Sequence, residues 1–391
     1  MKQLAYVLVN PYTMYKSRTG GVLSRLLSRS SEIHLIGARM FAPSRELVEE
    51  YIAELAKDKH VKPEARELDG LVREYVRTQY MPDQDGRRKR VMFLLLEGEN
   101  AVERVRDDVV GSVIRQTVGE TIRDTYGDFI KDESGKAVHF EPAVLIASQF
   151  EAAKRHIGVW LRHAGKDSGL LEGVVPYAPA AKIEKTLVMI KPDTLSQSRT
   201  RMGTVIDLFA KTGLFIIGIK VIHMSIAQAM EFYAPVREVF ETKLQDKVKA
   251  RVGEALKGAF AFPIPGAAVE QCAAMLTSAN ADHEFGKIIQ FMAGADPWQT
   301  PKSQWKATRN ETCLALVYEG KDAVARIRQQ LGSTDPSKAA PATVRKEFGR
   351  DIMVNTAHAS DSPENATREI GILDIASNDL TDLVAPYGIT A

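Results

Sequence analysis

The chain is written twice. Residues 5–40, AYVLVNPYTMYKSRTGGVLSRLLSRSSEIHLIGARM, align with residues 186–221, TLVMIKPDTLSQSRTRMGTVIDLFAKTGLFIIGIKV. Both run from a short apolar stretch through a proline turn, Ser-Arg-Thr, a glycine and an amphipathic segment to a second apolar stretch. Three further blocks follow in the same order: VMFLLLEGENAVERVR (91–106) with CLALVYEGKDAVARIR (313–328), GETIRDTYG (119–127) with PATVRKEFG (341–349), and FEAAKRHI (150–157) with SPENATREI (362–370). A repeat this long marks two related folding units, as does a length of 391 residues, too great for one ordinary core. The Gly-, Pro- and Ala-rich segment 165–183 matches neither copy and reads as a linker, giving one domain over 1–164 and a second over 184–391.

Within each copy the apolar runs are short and partly β-branched, as buried strands are; 186–190, 215–222 and 312–318 show this in the second copy. Each is followed by helical spacing: Val205, Leu208 and Phe209 share one face, as do Val324, Ile327 and Leu331 ahead of Gly332. The simplest fold with this order is α+β and ferredoxin-like (βαββαβ), a four-stranded antiparallel sheet with helices packed on it, present twice. The second copy carries an insertion near 238–282, partly helical with a proline break, and a loop at 295–309 with two tryptophans. Either could be a lid, a contact surface or a tolerated surface excursion.

Composition excludes several classes. A formal charge of only +2 argues against a protein that coats nucleic acid. Two cysteines, Cys272 and Cys313, form neither a disulfide framework nor a metal knuckle and are expected as buried apolar residues of a protein from a reducing, cytoplasmic setting. The opening MKQLAYVLVNPY lacks the core of a signal peptide, and no window is apolar enough to span a bilayer, so no membrane association is expected.

The polar groups present only in the second copy carry the chemistry. Lys191 stands at a strand end where the first copy has Asn10; such a lysine delivers a compact charge to a cleft over the sheet edge. Arg328, Thr334 and Arg345 are placed to grip phosphate oxygens, which the planar guanidinium matches bidentately. Arg106 and Arg123 keep both guanidiniums in the first copy, which could therefore still hold an anion. His358 falls where the aligned first copy has Leu145, and a neutral imidazole can attack a phosphoryl group and release it again. Alone, each would be read as an ordinary core histidine or surface charge; together in one repeat with Asn355 and Ser360 they read as a site. The stretch Ser360–Ser362 also resembles a helix N-cap, and Glu369, three turns along that helix, is positioned to support Ser360 or the imidazole.

The second copy resembles the nucleoside diphosphate kinase family through IKPD (190–193), YEG (318–320), LGSTDP (331–336), TVRKEFG (343–349) and NTAHASDS (355–362). The first copy resembles a degenerate member. The resemblance implies a ping-pong reaction in which a nucleoside triphosphate, carried with Mg2+ on its own phosphates rather than on protein ligands, phosphorylates the histidine, and a nucleoside diphosphate collects the group. It implies that His358 is the nucleophile, that Ser360 and Glu369 support it, and that Lys191, Arg328, Thr334, Arg345 and Asn355 hold phosphates and sugar. Tyr233 matches a tyrosine of the family's helical hairpin, and Phe285, with Phe240 as competitor, is the candidate to stack the base. Three positions depart from the family pattern: Met353 and Val354 replace Gly-Arg before the asparagine, and Ala359 replaces the glycine after the histidine. The family's dimer-based hexamers imply an intramolecular pseudo-dimer for a tandem, with a trimer of such units conceivable. A different class of reading stays open, a catalytically impaired nucleotide-binding or scaffolding protein built from the same two domains, as does docking of a partner on the inserted segments.

Overall fold

In the computed structural model, residues 2–28, 32–58, 63–113, 119–178, 181–197 and 199–390 are described. The first repeat opens with β1 (Lys2–Val9), the short helix α1 (Pro11–Tyr15), α2 (Thr19–Ser28) and β2 (His34–Phe41). It continues through α3 (Arg45–Leu55), α4 (Pro63–Gln79), β3 (Val91–Glu99), α5 (Ala101–Arg104) with a π-helical extension to Val110, and α6 (Ile122–Tyr126). A hairpin, β4 (Asp128–Lys131) and β5 (Ala137–Glu141), precedes the two-residue β6 (Val144–Leu145), α7 (Phe150–Arg162) and α8 (Ala164–Asp167). The second repeat runs β7 (Ile183–Ile190), α9 (Pro192–Gln197), α10 (Arg199–Ala210), β8 (Phe215–Ile222), α11 (Ile226–Lys243), α12 (Gln245–Ala259) and α13 (Gly266–Ala293). It closes with β9 (Cys313–Lys321), α14 (Ala323–Leu331), α15 (Val344–Phe348), β10 (Ala357–Ala359), α16 (Pro363–Ile372) and α17 (Leu380–Val384).

The two main sheets have the same topology: β2-β3-β1-β6 in the first repeat and β8-β9-β7-β10 in the second. The fold is thus α+β with two four-stranded ferredoxin-type sheets, as the duplicated pattern predicts. Central strands are buried on both faces; β9, for example, is buried from Cys313 to Gly320. That explains why these strands read as continuous apolar runs rather than alternating ones. The register carries the duplication down to single residues. In the first sheet Leu8 faces Leu145, and in the second Met189 faces His358.

One hairpin was not foreseen. The segment FIKDESGKAVHFE folds back through a turn in which Asp132 accepts the backbone N–H groups of Ser134 and Lys136, and its second strand ends at Glu141, close to the edge strand β6. Cys313 is buried as expected, whereas Cys272 is only half-buried.

Contacts divide the chain into two compact units: residues 1–221 with 314–391, and residues 222–313. Inside the first unit the repeats meet along α2 and α10. The helices approach so closely that a Cβ on Gly203 would lie 2.3 Å from the Ser24 backbone nitrogen, and one on Gly20 would lie 2.5 Å from the Gly203 carbonyl oxygen. Only glycine lets two backbones meet at that spacing.

The second unit is helical. Ser225 and Gln228 form a reciprocal cap at the start of α11. The proline break falls between α12 and α13, which pack through Val248, Val252 and Ala273, with Leu256, Val269 and Cys272 around them. Arg237 on α11 pairs with Asp282 on α13 at 2.6 Å. Gly294, at φ 75°, ends α13. Among the described residues no helix is long and apolar enough to cross a membrane.

Candidate active site

The site of the second repeat is assembled at one end of β7 and β10. β7 ends at Ile190 and delivers Lys191, whose backbone N–H donates to the Thr356 carbonyl at 2.9 Å. The Lys191 ammonium, 9% exposed, donates to the Met353 carbonyl at 3.0 Å and to Asn355 Oδ1 at 2.6 Å. The Asn355 amide in turn donates to the Thr334 carbonyl at 3.1 Å. Arg345 reaches the Thr334 hydroxyl at 3.4 Å, the Gly332 carbonyl at 3.2 Å and the Ala357 carbonyl at 3.0 Å, next door to His358. A continuous hydrogen-bonded chain therefore links Lys191, Asn355, Thr334 and Arg345 to the strand that carries the histidine. Thr334 and Arg328 are both exposed.

His358 sits in the middle of the three-residue β10, its side chain 22% exposed. Its Nε2 lies 2.9 Å from Glu369 Oε2, and the Ser360 hydroxyl donates to that same oxygen at 2.6 Å. Glu369 is 4% exposed and Ser360 fully buried. A carboxylate at Nε2 favours the tautomer with its proton there, which leaves the lone pair on Nδ1. Ser362 caps α16 by accepting the Asn365 N–H at 3.1 Å, with Pro363 in the first helical position.

Three contributors were not singled out from the sequence. Thr356 has φ 76°, a left-handed conformation costly for a β-branched residue. Asp193 holds it there, its carboxylate accepting the Thr356 N–H at 3.2 Å, while Thr194 donates its hydroxyl to the Thr356 carbonyl at 3.1 Å. Burial pushes the Asp193 carboxyl up, and Lys191 partly offsets that. The IKPD string contained the signal; what the side chain would touch was not visible in it.

The departures from the family pattern fit locally. Asp351 Oδ1 accepts the N–H groups of Met353 and Val354 at 2.9 and 2.7 Å, so this turn is closed by a side chain. Neither Met353 nor Ala359 adopts a positive φ, so neither position demands glycine.

Tyr233 and Phe285 belong to the helical unit. Tyr233 is 6% exposed on α11, and Phe285 is 1% exposed inside α13. Stacking needs an open ring face, so the expectation that Phe285 stacks a base is corrected; its competitor Phe240 is half-buried.

The first repeat keeps this backbone and fills it differently. Arg123 donates to the carbonyls of Gly111, Pro142 and Val144 at 3.1, 3.4 and 3.2 Å, as Arg345 does to Gly332 and Ala357, and burial lowers its guanidinium to about 10. Arg106 bonds Asp107 and the Ser148 carbonyl. Where Lys191 stands in the second repeat, Asn10 donates to Glu141 at 3.2 Å and accepts from Tyr80 at 2.7 Å, and the Tyr75 hydroxyl contacts both Glu141 oxygens at 2.9 and 2.7 Å. An anion would meet a buried carboxylate there, so the idea that this copy still offers an anion site finds no support in the geometry.

Geometry alone defines an antiparallel α+β protein with a carboxylate-supported histidine beside a hydrogen-bonded lysine–asparagine–arginine cluster in one of two repeats. The family model for nucleoside diphosphate kinase matches residues 184–249 and 302–374. A nucleoside diphosphate kinase of Helicobacter pylori is 30% identical over 197 residues, covering 50% of this chain and 98% of that protein. Another, of Methanoregula boonei, is 53% identical over 64 residues, 16% of this chain and 43% of that protein. Among solved structures, an NDP kinase of Pyrobaculum aerophilum aligns with 50% of this chain and 100% of its own at 24% identity, TM-score 0.36. The chain belongs to the nucleoside diphosphate kinase family.

Proposed function

We propose that this protein is a nucleoside diphosphate kinase whose second repeat carries the working site. The observation that supports it most is the pairing of a partly exposed His358, held at Nε2 by Glu369, with the Lys191–Asn355–Thr334–Arg345 chain one residue away. In this reading the Nδ1 lone pair attacks the γ-phosphorus of a nucleoside triphosphate. A P–N bond forms as the bridging P–O bond breaks, and its electron pair leaves on the diphosphate. A terminal phosphate oxygen of a second nucleoside diphosphate then attacks the same phosphorus, and the P–N bond breaks back to neutral imidazole. Glu369 keeps the Nε2 proton and offsets the positive charge that grows on the ring.

Lys191, Arg328 and Arg345 neutralise phosphate charge, and Thr334 and Asn355 orient phosphate and sugar, which is most of what phosphoryl transfer asks of a protein. None of these groups is a carboxylate, so Mg2+ would be held by the nucleotide's own oxygens, where it would neutralise charge on the transferring group. Tyr233 belongs to this site only by its match to the family, and stacking of the base is left without a residue. One pocket serves donor and acceptor in turn. In this reading the two repeats act as an intramolecular pseudo-dimer, and cytoplasmic residence follows from the substrates.

The competing reading, nucleotide binding without turnover, is favoured by one observation: Lys191 and Arg345 already spend donors on the protein's own oxygens. Incubation with γ-labelled ATP separates the two. Wild type should take up acid-labile label and pass it to added diphosphate, and His358→Asn should do neither. Label retained by the variant refutes the assignment, and nucleotide binding without exchange by wild type supports the competitor.

A further inference from the structure

A cavity of about 280 Å³ lies in the seam between the repeats, walled by the α1–α2 corner and Arg90 of the first and by α10, residues 213–216 and Tyr318 of the second, with none of the His358 site residues in its lining. Two polar groups in its wall are incompletely used. The Arg90 guanidinium donates one bond, to the Ile216 carbonyl at 2.7 Å, and lies over the Phe215 ring at 4.9 Å, but forms no ion pair with any described residue. Burial lowers it to about 10, and Tyr177 and then Glu319 only partly compensate through space. The Tyr318 hydroxyl is buried, the residue 2% exposed, with no hydrogen-bond partner among the described residues. In the first repeat the aligned position is Leu96, so this hydroxyl is a feature of the second repeat alone.

A half-buried guanidinium without an ion pair and a buried phenol without an acceptor are each incompletely satisfied, and one acceptor-bearing anion would serve both. Met14, Ile206, Ala210 and Leu214 give the wall an apolar part beside the polar Ser17 and Thr19, which suits a ligand with both a hydrocarbon body and a polar head better than a bare inorganic ion. We propose that this cavity binds a small carboxylate carried on an aromatic or aliphatic body, its carboxylate facing Arg90 and Tyr318. The proposal stands apart from phosphoryl transfer, and it holds whether or not His358 turns over.

Calorimetric titration of the full chain with benzoate, with and without excess ADP, tests it. Saturable binding at one site per chain, unchanged by ADP, is expected. Arg90→Met should weaken it by about tenfold or more, and Tyr318→Phe by about threefold or more. Ala210→Leu, which fills the cavity without touching either polar group, should abolish it. Thermal unfolding of each variant verifies that it is folded. The proposal is overturned if benzoate shows no saturable binding, if Arg90→Met and Ala210→Leu bind as wild type does, or if ADP or inorganic phosphate displaces benzoate.

Discussion

The two repeats share a backbone and differ in what fills it. Both sheets place the edge strand in the same register, so Leu145 and His358 face corresponding partners. Both keep a left-handed residue two positions earlier, Ala143 at φ 60° and Thr356 at φ 76°. Both keep an arginine that ties the loop carbonyls. The polarity, however, is inverted: a buried ammonium bonded to an amide oxygen and a backbone carbonyl in one, a buried carboxyl ringed by tyrosines and an asparagine in the other. The scaffold therefore does not specify the chemistry. A handful of side chains does, and the same loop tolerates either sign of charge once its partners are supplied.

The comparison breaks first at the histidine. His358→Asn should lower exchange by on the order of 10⁴-fold or more, and adding Leu145→His to it should restore no label, because Glu141 and Asn10 occupy the phosphate side of that repeat. Recovery of labelling in the double variant would show that the scaffold matters more than its filling. Next comes the lysine. Lys191→Met should lower kcat/KM by about 10²- to 10³-fold in a coupled assay, the cost of losing one fixed positive group.

The arginines should part company. Arg123→Ala should leave the exchange rate near wild type yet cost about 2–3 kcal/mol in urea unfolding, since three carbonyls lose their donor. Gly203→Ala should cost about 1–3 kcal/mol by forcing α2 and α10 apart.

The smallest effect is a pH dependence. Burial holds the Glu141 carboxyl above its ordinary value, outweighing Tyr75, Asn10 and the Ala143 N–H. The stability it contributes is therefore whole below the unfolded carboxyl value and is lost as pH rises through the raised native one. The stability of wild type relative to Glu141→Gln should therefore fall as pH rises above the ordinary carboxyl range, read from urea midpoints. A flat difference would mean that the donors cancel the burial.

Much of this was legible before coordinates, for a physical reason. A strand buried on both faces must be an apolar run, so the strands announced themselves, and the repeat supplied the pairing of Leu145 with His358. Lys191, Asn355 and His358 stood out because the first copy has other residues at the aligned positions, whereas Arg328 and Arg345 have counterparts there in Arg106 and Arg123. The hairpin ending at Glu141 escaped because it exists in one copy only and rests on an Asp132 turn. Thr356 escaped because a β-branched residue at positive φ contradicts its own preference; only Asp193 and Thr194, 163 and 162 positions earlier, make it tolerable. Phe285 misled because an aromatic at the right place along the chain says nothing about which way its ring faces.

The crossing of Gly20 and Gly203 has one more consequence. Partners joined by a single polypeptide meet at an effective concentration set by the tether rather than by the cell, so dilution does not separate them. Two strands of one gene product also need not stay identical: each side of the crossing can accept substitutions that a self-pairing surface would have to suffer twice. That freedom suits a chain in which one half holds Leu145 where the other holds His358, with the two still packed at a glycine crossing.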